Sequence, residues 1–259
     1  MPPFLLCASP MPPAVAERAT RDFGALLSQD GHLSPEALLA TLQAQPTVQT
    51  LLVSFRVKVP AELIAALPAH LRLLATYSVG TDHIDLAAAR ARGLPVSNTP
   101  DVLTDATADM ALLLMLGAAR RLRAYLGVMD AGWRQSFQLG EMLGTDLRGK
   151  TLGILGMGRI GQAVALRARA FGMRIAYFNR TRLSPELEAG AQYCPSVEAL
   201  MRVSQVLSLN APGGAALDGV INQDTLALMP RGAILVNTAR GTLVNEADLI
   251  AALQSGQLA

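Results

Sequence analysis

The stretch TLGILGMGRIGQAVALRARAFG, residues 151–172, constrains the fold more than any other part of the chain. An apolar run leads straight into Gly156, Gly158 and Gly161, and an amphipathic helical pattern follows at once. A G-x-G-x-x-G spacing at a strand-to-helix junction has a physical reason at each position. The first glycine permits the tight turn and the second lets backbone approach a pyrophosphate. The third lets helix and strand pack closely, with the helix N-terminus facing the anion. Gly156, Gly158, Arg159, Ile160 and Gly161 are therefore candidate cofactor-binding residues. Three glycines alone are a weak signal. With the strand before, the helix after and a second strand RIAYF ending at Phe178, a dinucleotide-binding βαβ unit is expected.

Short β-branched or Leu-rich runs alternate with Ala-rich helical patterns along the whole chain, which predicts parallel sheets. Strand candidates in the first part are FLLCA (4–8), TVQTLLVSF (47–55), LRLLATY (71–77) and LPVSN (94–98). In the second part they are TLGILG (151–156), RIAYF (174–178), QVLSLN (205–210) and GAILVNT (232–238). HIDLAAARARG (83–93) reads as a helix closed by Gly93, and EADLIAALQSG as one capped by Asn245 and closed by Gly256. Between the two sets, Asp101, Asp105 and Asp109 load one end of residues 98–122, and Arg120, Arg121 and Arg123 follow the other. That polarity complements a helix dipole and predicts one long helix from about Thr104. The expected fold is α/β, with two Rossmann-like or flavodoxin-like parallel-sheet domains and a boundary near Asn98. The chain stops at GQLA, where the rhythm calls for another strand, so the second domain is expected to lack its C-terminal strands.

Composition excludes several classes. The most apolar stretch, MALLLMLGAA (110–119), is bracketed by Asp109 and Arg120 and is too short for a membrane span. Cys7 and Cys194 are too few and too far apart for a metal site or a disulfide framework. No positive charge precedes Arg18, so no signal peptide is expected and a reducing cytoplasm is the default location. Lys58 and Lys150 are the only lysines, and the arginines are scattered without a basic stripe, which argues against nucleic acid.

The end of the second strand of the βαβ unit sets the cofactor. Dinucleotide folds place an Asp or Glu there to accept from the ribose 2′-OH. This chain has Asn179, and then Arg180 and Arg182. Asn179 removes the repulsion of a 2′-phosphate, and each arginine offers it a charge-assisted bond worth about 1.5–3 kcal/mol. The preference is therefore NADP(H), with NAD(H) possible. The alternative is that both arginines are solvated surface charges and Asn179 bonds a plain ribose.

Five ordered blocks together resemble the D-isomer-specific 2-hydroxyacid dehydrogenases, especially the glyoxylate/hydroxypyruvate reductase branch. They are YSVGTDHIDL (77–86), NTPDVLTDATAD (98–109), LRGKTLGILGMGRIGQAVA (147–165), NRTRLSPE (179–186) and MPRGAILVNTARGTLVNEADLIAAL (229–253). The resemblance implies a substrate-binding domain over 1–97, without its returning C-terminal helix, and an incomplete NAD(P)-binding domain over 98–259. It implies that Arg240 is catalytic, and a guanidinium at a parallel strand's carboxyl end suits a planar carboxylate. It also implies that the N–H groups of Val79 and Gly80 hold the substrate carboxylate. Thr104, Ala211, Pro212 and Thr238 would lie along the dinucleotide, Thr104 doubling as a helix N-cap. A homodimer is implied, with Trp133 buried on association.

The family's proton donor is a His paired with a Glu, both downstream of the catalytic Arg, and no His follows Arg240 here. His32, His70 and His83 all lie in the first part and read as exposed and inert. Glu246 and Asp248 serve a helix N-terminus rather than the missing Glu. The expected function is hydride transfer between NADP(H) and a small 2-keto or 2-hydroxy acid, glyoxylate or hydroxypyruvate first. Two readings follow, a fragment whose proton donor lies outside the given chain or a complete chain that no longer catalyses, and the fragment is favoured. One alternative is a non-catalytic dinucleotide-binding redox sensor. Another is a related dehydrogenase of the phosphoglycerate or formate type.

Overall fold

The computed structural model describes residues 2–29, 31–134 and 136–259. The chain divides into two compact units, Met1–Val102 and Leu103–Ala259.

Unit 1 runs β1 (Leu5–Cys7), α1 (Pro13–Phe23), β2 (Leu26–Leu27), α2 (Pro35–Ala44), β3 (Thr50–Val53), α3 (Ala61–Ala66), β4 (Leu73–Thr76), α4 (Leu86–Ala91) and β5 (Val96–Ser97). All pairings are parallel, in the order β2-β1-β3-β4-β5. Side chains alternate between faces, as the pleat requires. Leu6, Leu51 and Val53 pack with Leu38, Leu42, Leu63 and Ile64 from the helices, whereas Leu5, Cys7 and Leu52 pack with Ala19 of α1. Both faces are thus covered, which is why the strands read as continuous apolar runs. Asp85 caps α4, its Oδ1 accepting from Ala88 N at 2.8 Å, and Gly93 ends it at φ +72°.

Unit 2 runs α5 (Thr104–Ala119), α6 (Leu122–Asp130), β6 (Thr151–Leu155), α7 (Arg159–Ala170), β7 (Arg174–Phe178), α8 (Pro185–Glu188), β8 (Gln192–Tyr193), α9 (Val197–Val203), β9 (Val206–Leu209), α10 (Gln223–Ala227), β10 (Ile234–Asn237) and α11 (Glu246–Gln254). Its parallel sheet has the order β10-β9-β6-β7-β8. Ile154, Tyr177, Val206 and Ile234 pack with α5 and α7, whereas Leu155, Ala176, Leu207 and Leu209 pack with α9, α10 and α11. Asn245 Oδ1 caps α11 by accepting from Asp248 N at 3.2 Å, and Gly256 turns the chain at φ +71°. Leu258 then forms a parallel bridge with Ala233.

Three local features depart from the sequence expectation. Each sheet has five strands rather than four, because β2 and β8 are two-residue edge strands, too short to show any periodicity. The long helix stops at Ala119, and Arg121 takes a left-handed φ of +53° before α6 begins. The chain returns at Thr145, whose N–H donates to Ala119 O at 2.6 Å and satisfies an orphan carbonyl of the helix end. Thr104 is the first helical residue, not the N-cap; Leu103 holds that place with no side-chain bond. Asp105 and Asp109 both accept from Arg167 of α7, at 2.9 and 2.6 Å, so the acids at this helix start also tie two helices together.

Candidate functional site

The strand order of unit 2 reverses at β6, which lies between β9 and β7. Open α/β sheets bind ligands at the carboxyl side of such a switch point. There Gly156 turns at φ +94°, and a Cβ on it would stand 2.6 Å from Ala211 N and 2.7 Å from Ala211 Cα. The first glycine thus lets the β6 loop cross the chain leaving β9. A Cβ on Gly161 would overlap the Gly156 carbonyl and meet Ile154 Cγ2 at 3.1 Å, so the third glycine seats α7 on β6. A Cβ on Gly158 would meet nothing within 4 Å. Packing does not require that glycine, and bare backbone there leaves room for a ligand. α7 starts at Arg159, and the first-turn N–H groups of Arg159, Ile160 and Gly161, beyond reach of any intrahelical carbonyl, are the donors a pyrophosphate needs.

At the end of β7, Asn179 Oδ1 accepts from Met157 N at 2.7 Å, so its side chain braces the glycine loop. The two arginines that stand together in the sequence have different surroundings. Arg182 pairs with Glu188, Nε to Oε1 at 2.7 Å and Nη2 to Oε2 at 3.1 Å. Tyr177, fully buried, donates its hydroxyl to the same Glu188 Oε1 at 2.6 Å. These two bonds, Arg182 first, hold the Glu188 carboxyl below the usual range, while burial and Glu188 push the Tyr177 phenol up. Arg180 is exposed and has no such partner among the described residues.

The ends of β9 and β10 lie side by side, Leu209 in register with Asn237. Just beyond them, Asn210 Oδ1 and Thr238 Oγ1 are buried polar atoms with no hydrogen-bond partner among the described residues. Buried oxygens in that state are met by a water or by a ligand. Ala211 is buried and Pro212 exposed on the same rim. Arg240 follows on an extended backbone, φ −136° and ψ 138°. Asn237 Oδ1 accepts from Ala239 N and Asn237 Nδ2 donates to the Arg240 carbonyl, each at 2.9 Å. Asp248 lies apart from this chemistry, its Oδ2 accepting from Gln223 N at the start of α10. Glu246 stands in the first turn of α11.

In unit 1 the loop after β4 is tied back through its carbonyls. Asn98 Nδ2 donates to Val79 O at 2.8 Å, Thr99 N to Ser78 O at 3.1 Å, and Ser78 Oγ to Gly80 O at 2.7 Å. The Val79 and Gly80 N–H groups donate to nothing among the described residues. His83 is buried rather than exposed, with Nε2 3.0 Å from Thr76 Oγ1, and Thr76 Oγ1 is 2.8 Å from Ser78 Oγ. The polar chain from β4 to this histidine keeps it inside. His70 is half-buried, and His32 Nδ1 meets Ser9 Oγ at 2.9 Å. Arg56 stacks on the exposed Phe55 ring, 5.6 Å from its centroid.

Residues 112–259 match the family model described as "D-isomer specific 2-hydroxyacid dehydrogenase, NAD binding domain". This chain belongs to the D-isomer specific 2-hydroxyacid dehydrogenase family. It is similar to the glycerate dehydrogenase of Hyphomicrobium methylovorum, 39% identical over 98% of this chain and 79% of that protein. It is 45% identical to the glyoxylate reductase of Thermococcus kodakarensis over 82% of this chain and 65% of that protein. Among solved structures it resembles an NADPH-dependent glyoxylate/hydroxypyruvate reductase from Sinorhizobium meliloti in complex with NADP and malonate. That likeness has a TM-score of 0.86 at 34% identity and spans 100% of this chain and 78% of that one.

For a member of this dehydrogenase family, the residues fit a dinucleotide: the cradle at Gly158 is open, the helix start supplies donors, and the strand ends hold unmet oxygens. The parts that sequence reasoning missed are supports. Asn237 had a readable signal, being an Asn inside the NTARG block three residues before Arg240. Glu188 and Tyr177 had none, since one reads as helix surface and the other as strand core.

Proposed function

We propose that this chain is an NADP(H)-preferring oxidoreductase of small 2-keto and 2-hydroxy acids, with glyoxylate or hydroxypyruvate as the favoured substrates. The observation that carries the reading is Arg240, clipped by Asn237 at the carboxyl end of a strand in the same sheet that carries the glycine cradle. The names of the similar proteins support the substrate class.

Gly156, Gly158, Arg159, Ile160 and Gly161 would hold the pyrophosphate, and Ala211, Pro212, Thr238 and Thr104 would flank the rest of the dinucleotide. Bound there, the cofactor supplies the hydride. Arg240 binds the planar acid and polarises its keto oxygen, stabilising the negative charge that develops on it. The N–H groups of Val79 and Gly80 bind the carboxylate as a small anion nest. Asn179 spends its acceptor on Met157 N, and Arg180 is available to a 2′-phosphate; NAD(H), without that phosphate, binds more weakly. The reading gives no proton-donor role to His32, His70, His83, Glu246 or Asp248, so the proton that the developing alkoxide takes up comes from water. We further propose a homodimer through α5, α6 and the segment after them, where Leu113, Met129 and Trp133 are each more than half exposed. Trp133 emission should then shift across a dilution series.

The test is to mix the chain with NADPH or NADH and with glyoxylate or hydroxypyruvate, following nicotinamide absorbance and cofactor affinity. Keto-acid-dependent oxidation, or keto-acid-dependent tightening of NADPH, lost in Arg240→Gln, is the expected result. A folded chain that binds NADPH with no keto-acid effect of either kind overturns the reading in favour of a redox sensor.

A further inference from the structure

We propose that Glu188, together with Tyr177, is a positioning residue for cofactor choice: it ties Arg182 into the protein and presets the loop that presents Arg180 to the 2′-phosphate. The proposal rests on the NADP(H) reading above.

The loop from 179 to 184 joins β7 to α8, and it is anchored on both sides of Arg180. Before it, Asn179 holds Met157 N at 2.7 Å. After it, Leu183 N donates to the Tyr177 hydroxyl at 3.0 Å, and Arg182 is forked onto Glu188 and lies over the Tyr193 ring, 5.6 Å from its centroid. Only Arg180 and Thr181 lie between these anchors.

A buried carboxylate is costly unless charge-assisted bonds satisfy it, and Glu188 is 6% exposed with three such bonds. Arg169 Nη2 holds its carbonyl as well, at 3.0 Å. A bidentate fork fixes the guanidinium plane, so Arg182 is committed to the protein before any ligand arrives. Ordering the loop in advance removes a cost that binding would otherwise bear. Two arginines with one residue between them are in this way given separate work, one structural and one for recognition.

The experiment titrates NADPH and NADH into the full chain and into Arg180→Ala, Glu188→Gln and Tyr177→Phe, with thermal melts as the folding check. Tyr177→Phe keeps the buried ring and removes only the hydroxyl. The readout is the ratio of NADPH to NADH affinity, which a general loss of structure does not move. The wild-type chain favours NADPH and Arg180→Ala loses the preference. Glu188→Gln lowers the ratio about tenfold, the weight of one charge-assisted bond, and Tyr177→Phe lowers it less. If the wild-type chain shows no preference, the cofactor reading fails and this inference with it. If Arg180→Ala loses the preference while Glu188→Gln keeps or raises it, only the inference fails; a rise would mean that Glu188 restrains a second phosphate reader.

Discussion

Asn237 grips the chain on its way into Arg240 at two points, accepting from Ala239 N and donating to the Arg240 carbonyl, both at 2.9 Å. The side chain of the last strand residue thereby sets the exit direction of the proposed catalytic arginine. Asn237→Ala removes both bonds and lets Arg240 drift. Misplacement of a catalytic group by about 1 Å costs on the order of a hundredfold. We expect kcat/KM, or the keto-acid affinity of the NADPH complex, to fall about ten- to a hundredfold. An Asn237→Ala protein with unchanged values would show that the clip is dispensable.

Gly161 lies where a Cβ would overlap the Gly156 carbonyl. Gly161→Ala should therefore destabilise unit 2 by about 1–3 kcal/mol, the usual range for overpacking, because backbone on both sides must shift. Urea unfolding of the variant measures this directly. An unchanged midpoint would mean that α7 is not pressed onto β6 as described.

Burial pushes the Cys7 thiol up to about 11 and raises Cys194 as well. At pH 8 both are then held as neutral thiols inside the protein. An aromatic disulfide reagent should leave the native chain unlabelled over minutes and label both cysteines once guanidinium unfolds it. Rapid labelling of the native chain would contradict the packing around β1 or β8.

Arg182 first, and Tyr177 second, hold the Glu188 carboxyl below its ordinary value of 4.5. A carboxyl depressed in the folded state stabilises the protein fully above its unfolded pKa and loses that contribution as pH falls through the folded one. The melting-temperature advantage of the wild-type chain over Glu188→Gln should be flat from pH 7 to about pH 5 and shrink below 4.5. An advantage that persists unchanged to pH 3 would exclude the ionised pair as its source.

Much of the fold was legible because its constraints are local. Gly156, Gly158 and Gly161 announce turn, approach and packing by spacing alone, and the helix stops at Gly93 and Gly256 announce themselves by residue type. What stayed hidden depends on bonds between one element or loop and another. Thr145 ends α5 by bonding Ala119, His83 is drawn inward by Thr76, and Glu188 holds the Arg182 guanidinium. No periodicity in one segment reveals a bond to another. The family likeness supplied roles for Arg240 and the Val79–Gly80 loop, but not the side chains that brace them.

If the glycine loop is a pyrophosphate cradle, a side chain at Gly158 stands in the way of the ligand and of nothing else. Its backbone, φ −80° and ψ −158°, is open to any residue, and a side chain there meets no protein atom within 4 Å of its Cβ. Calorimetric titration of the wild-type chain and Gly158→Val with NADPH is the decisive measurement. The variant is expected to melt with the wild-type chain yet bind NADPH at least tenfold more weakly. A variant that folds and binds NADPH as tightly as the wild-type chain would contradict the cradle.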